Sequence, residues 1–215
     1  MRNLSLSPEK PVLRGVSHQF AFFMALGAGA FLVTQAATAQ AQGAAWIYGL
    51  CMAAMFGASA LYHRRNWSEL GGSRMRRLDH AGIFLMIAGT YTPVAWLALP
   101  PSTGLPLLAT MWTLSALAIA QKLFWPRAPR VIRVGLYLVL GWIGVPFLPQ
   151  IAQVMGPVAI ALIVAGGLLY TAGAVIYGLR RPDPFPRVFG YHEVFHALVV
   201  AACALHFTAI LPLIA

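Results

Sequence analysis

The C-terminal stretch VFGYHEVFHALVVAACALHFTAILPLIA, residues 188–215, carries the pattern that decides the fold. From His196 onward it contains no Lys, Arg, Asp or Glu. A continuously apolar run of this length, without the alternation of a lipid-facing barrel strand, suits a helix crossing the ~30 Å hydrocarbon core of a bilayer. Runs of the same kind recur along the chain. Of its 215 residues, 60% are hydrophobic and only 9% charged, where a soluble domain carries about a quarter. The composition describes an integral membrane protein of all-α class.

Seven transmembrane helices are predicted, at about 18–39, 44–63, 79–99, 104–124, 131–149, 154–178 and 192–214. This leaves 1–17 as a cytoplasmic N-terminal segment and 18–215 as one helical domain. The basic residues give an independent check. Arg2, Lys10 and Arg14 precede the first span; Arg64, Arg65, Arg74, Arg76 and Arg77 connect the second to the third. Lys122, Arg127, Arg130 and Arg133 flank the fourth-to-fifth connection, and Arg180, Arg181 and Arg187 precede the seventh span. The intervening loops AATAQAQGA, LPPSTG and LPQIAQ have none. Cytoplasmic loops retain Lys and Arg, so the alternation predicts an odd number of crossings, with the N-terminus in the cytoplasm and the C-terminus outside. The net charge of +10 is spread over these short loops. It reads as orientation signalling, and nucleic acid is excluded as a partner.

The front of the chain imitates a secretory signal: basic residues, then FAFFMALGAGAFLV, then ATAQ. Its removal would leave an even number of crossings, against the charge pattern, so the first span is expected to be retained. Cys51 and Cys203 fall within apolar runs and read as small buried hydrophobes.

Polar chemistry gathers at one depth. His63 closes the second span, Asp79 and His80 open the third, and His192 and His196 open the seventh. Successive helices alternate direction, so all of these lie in the cytoplasmic layer, as does His18 of the first span. Ionisable groups at membrane depth are costly unless paired, which makes them functional candidates. His192 and His196, at i and i+4, share one helix face and can chelate one ion. Zinc seeks four ligands and in catalytic sites leaves one position open. His63 is the best third ligand, with His18 and His80 as weaker candidates. Asp79 is either a ligand or a base that holds water. Ser59, one turn before His63, is placed to hydrogen-bond to water or a substrate oxygen.

HEVFH also has the H-E-x-x-H form of zinc proteases, which makes Glu193 an alternative base. The competing reading of Glu193 is a solvated residue favoured by the helix N-terminus. His206 lies about 15 Å deeper than His196 along a helix and is expected to be a buried, hydrogen-bonded histidine rather than a ligand. The proline-rich RRPDPFPR is expected to fix the start of the seventh helix.

SALYH (59–63), LDHAGIFLMIAGTYTP (78–93) and HEVFH with ALHF (192–207) together resemble the haemolysin III proteins. These are the bacterial branch of the progestin-and-adiponectin-receptor family, in a wider group that contains alkaline ceramidases. The resemblance covers nearly the whole chain. It implies zinc held by His63, His192 and His196, with Asp79 holding a water and Ser59 nearby, in the bacterial inner (plasma) membrane. Two departures are visible: the expected Glu and Asn before the first span are replaced by SPEKPVLRGVSHQF, with Glu9 a displaced match, and His80 stands where an aromatic is common.

The leading expectation is therefore a zinc-dependent intramembrane hydrolase of a lipid amide. The alternatives are a membrane regulator or sensor with structural zinc, and a pore-forming haemolysin. A membrane lipid is the expected substrate or ligand; the sequence leaves self-association open.

Overall fold

A computed structural model describes residues 10–125 and 128–215, without the side chains of Arg130 and Arg133. Glu9, Arg2 and Arg127 lie outside the described residues. The described chain is helical: α1 (Val16–Gln35), α2 (Ala39–Arg64), α3 (Glu69–Leu97), α4 (Pro101–Phe124), α5 (Arg130–Trp142), a 3-10 turn (Val145–Phe147), α6 (Leu148–Leu179) and α7 (Tyr191–Ile214). Among the described residues there is no β-strand; a lone bridge joins Phe185 to Phe189.

Six segments are long and apolar enough to cross a bilayer. One of them, Val134–Leu179, is 46 residues long. As a straight helix it would measure about 70 Å, twice what the hydrocarbon core requires. It is instead folded on itself. Trp142 Nε1 donates to Thr171 Oγ1 at 3.0 Å, and Val134 lies against Gly178, so the legs run antiparallel. The chain reverses between them with Gly156 at φ 78°, ψ 169°, a backbone region open essentially to glycine alone, and Pro157 then starts the second leg.

α2 is the most enclosed helix, with α1 on one side and α3 on the other. Small residues permit this. A Cβ on Gly49 would stand 2.9 Å from the Gly29 Cα, so α1 and α2 cross backbone to backbone. Gly82 gives α3 a similar approach to Met55 of α2. Such small-residue crossings provide close packing where lipid supplies no hydrophobic drive.

α3 starts at Glu69 rather than near 79. Apolarity marks where a helix enters lipid, but helix formation needs only a cap: Ser68 Oγ accepts from the Gly71 N–H at 3.2 Å. Arg74, Arg76 and Arg77 are therefore helical, not loop residues. The N-terminal segment is likewise tied to the bundle. Val12 N–H and Leu13 N–H donate to the carbonyls of Arg187 and Val188 at 3.0 and 3.1 Å.

Candidate metal centre

His63, in the last turn of α2, and His192 and His196, in the first turns of α7, converge. One ligand-type nitrogen from each lies within 4.8 Å of the others. The Nε2 atoms of His63 and His192 are 3.2 Å apart. Two nitrogens on one tetrahedral zinc, each at 2.0–2.1 Å, stand about 3.3 Å apart. The His63–His192 pair matches that spacing, and the three histidines together can hold a metal ion.

Asp79 Oδ2 is 3.8 Å from His63 Nε2, beside the histidine triad but outside the mutually close set. Ser59 is buried on α2; its hydroxyl faces the Asp79 carboxyl but stops short of a hydrogen bond to it. His18 of α1 is also buried, with its ring stacked face to face on His196 at 3.8 Å between centroids. It is not one of the three converging donors. His80 turns away from them, its Nδ1 3.1 Å from the Tyr137 hydroxyl on α5. His206 is half-buried, with Nε2 3.0 Å from the Ile163 carbonyl oxygen. Cys51 and Cys203 are buried and unbridged.

Glu193 differs from the solvated residue read at the start of α7. It is 2% exposed. One carboxylate oxygen pairs with Arg14 Nε, and the other accepts the Gly190 N–H at 2.8 Å. The guanidinium and the helix N-terminus together compensate for its burial. Glu193 does not line the cavity that the histidines border.

That cavity, of about 150 Å³, begins at Ser59, Asp79, His192 and His196 and reaches Trp142 and His206. A second hollow shares Trp142 and His206 and continues toward Leu148 and Ile210. Polar groups along the way are largely engaged with protein: Tyr91 OH donates to the Gly141 carbonyl at 3.0 Å, and Trp142 to Thr171. The result is an apolar channel with its reactive groups at one end.

The haemolysin-III-related family profile matches residues 6–207. The chain belongs to the haemolysin-III-related family. It is 26% identical to the hemolysin-3 homolog of Bacillus subtilis (strain 168) over 209 residues, covering 94% of this chain and 93% of that one. It is 28% identical to hemolysin-3 of Bacillus cereus over 98% of this chain and 94% of that protein. The adiponectin receptor protein of Drosophila melanogaster is 29% identical over 157 residues, 65% of this chain and 35% of that one. Membership and the apolar helices together make this a multi-pass membrane protein.

Sequence reasoning missed three residues around this histidine cluster. Arg14 was counted only as an orientation signal, yet it neutralises Glu193. Tyr177 packs its ring 5.5 Å from that of His192. Gly15, at φ 78°, lets the chain pass directly over His63, where a Cβ would lie 2.5 Å from the His63 Cβ. No spacing rule links these residues to the histidines, because their proximity is created by helix packing.

Proposed function

We propose that this protein is a zinc-dependent intramembrane hydrolase that cleaves the amide bond of a membrane lipid. It would lie in the bacterial plasma membrane with seven crossings, the N-terminus and the site on the cytoplasmic side. The carrying observation is the junction of a three-histidine donor set and the neighbouring Asp79 carboxyl with the head of an apolar channel. The antiparallel legs of Val134–Leu179 support two crossings there and hence seven in total.

His63, His192 and His196 hold the ion, which when bound supplies Lewis acidity toward a carbonyl oxygen and toward water. Asp79 takes the proton of the attacking water and returns it to the leaving amine, which balances hydrolysis to a carboxylic acid and an amine. Ser59, its hydroxyl buried beside the Asp79 carboxyl, donates to the carbonyl oxygen as negative charge develops there. The channel toward Trp142 and His206 accommodates the acyl chain and keeps bulk water from the reacting bond. Purified protein supplied with long-chain N-acyl lipids should release fatty acid, measured by mass spectrometry, and Asp79→Asn should stop the release while retaining zinc. Metal-replete protein that hydrolyses no N-acyl lipid would overturn the reading.

One observation favours a second reading. Asp79 is close enough to His63 that a small shift would make it a fourth ligand. A site closed in this way is structural, and the protein would then be a membrane regulator whose zinc ties α2 to α7.

A further inference from the structure

A metal-bound histidine is normally held by a hydrogen bond from its second ring nitrogen to a carboxylate, carbonyl or water. For His196 the protein supplies a ring contact instead. Its Nδ1 is buried and has no hydrogen-bond partner among the described residues. What touches the ring is another ring: His18 lies nearly parallel to it, 10° between planes and 3.8 Å between centroids. His18 is in turn braced by the edge of Phe56 on α2, 5.0 Å away at 74°. On its other sides His196 meets the rings of His192 and His63 at 4.6 and 5.0 Å. A column of rings therefore runs from α2 through α1 to α7 and ends at the donor set.

We propose that His18 is a positioning residue that fixes the plane of His196 by face-to-face stacking and so sets the geometry of the metal centre. The inference rests on the metal reading above. It separates stacking from ligation, because His18 would act through its ring face and not its nitrogens. A flat ring without nitrogen should then substitute for it, and a polar side chain without a flat ring should not.

The test uses full-length protein in detergent micelles, loaded with zinc or cobalt. Zinc affinity is measured by competition with a chromophoric chelator, ligand geometry by the visible d–d bands of cobalt, and integrity of the metal-free protein by thermal unfolding. His18→Phe should keep the wild-type cobalt spectrum and an affinity within about threefold, whereas His18→Asn and His18→Ala should lose about tenfold or more and shift the bands. If Phe proves too large to fold, thienylalanine at position 18, a five-membered ring without nitrogen, replaces it with the same expectation. A folded ring variant that loses metal as Ala does would overturn stacking and show that His18 acts through its nitrogens. Wild-type affinity and spectrum in His18→Asn would overturn any role for the ring. If the wild-type protein itself binds no zinc or cobalt, the metal reading falls first and this inference with it.

Discussion

His63 Nε2 and His192 Nε2 stand 3.2 Å apart although 129 positions separate the residues in the chain. Two imidazoles on different helices held nitrogen to nitrogen at that distance share either a proton or a metal ion. The two cases differ in what removal of one ring does. A lost hydrogen bond costs about 1 kcal/mol, whereas a lost zinc ligand removes the ion and whatever stability it conferred. His63→Ala and the pair His192→Ala/His196→Ala are therefore expected to reduce bound zinc from about one per chain to background, by elemental mass spectrometry after chelator-free purification. Wild-type protein devoid of metal would leave the proton as the shared species.

Asp79→Asn separates the two roles open to that carboxyl. As a base outside the donor set it should leave zinc content unchanged and lower lipid hydrolysis by about 10²-fold or more. As a fourth ligand it should lower zinc affinity. Parallel assays of metal content and fatty-acid release on one preparation distinguish these results.

Glu193 is committed to Arg14 and the Gly190 N–H, so its contribution is to stability rather than turnover. Arg14→Leu leaves a buried carboxylate without its cation and is expected to destabilise the protein by about 3 kcal/mol. Adding Glu193→Gln to that variant should restore part of the loss. Thermal unfolding in micelles reads both effects. Were Glu193 the base, Glu193→Gln alone would abolish hydrolysis at unchanged stability.

Gly49→Ala should weaken the α1–α2 crossing. The new Cβ would meet the Gly29 Cα at 2.9 Å, and a backbone atom cannot yield as a flexible side chain does. A loss of about 1–3 kcal/mol is expected, read as a lower unfolding temperature.

Gly156→Ala examines the reversal in Val134–Leu179 by a different mechanism. A Cβ there meets nothing within 4 Å, so the whole effect is backbone strain, about 1–3 kcal/mol. The topology itself can be read with a cysteine at Gln153, which is exposed, against a background of two buried native thiols. Labelling from outside intact cells is expected; labelling only after lysis would place the turn in the cytoplasm and contradict seven crossings.

The sequence by itself determined that this chain is a helical membrane protein and which side chains are candidates for chemistry. Both follow from local properties: long apolar runs permit only helices, and His63, Asp79, His192 and His196 fall at the ends of those runs. The four-residue spacing of His192 and His196 was enough to predict a shared helix face. Tertiary structure alone decided the rest. The start of α3 depended on a serine cap beyond the apolar run. Burial of Glu193 depended on Arg14 reaching across from the N-terminal segment. The stacking of His18 on His196 depended on how closely α1 approaches α7, which the intervening crossings set. These are through-space contacts between residues far apart in the chain, and no periodicity within a single helix encodes them.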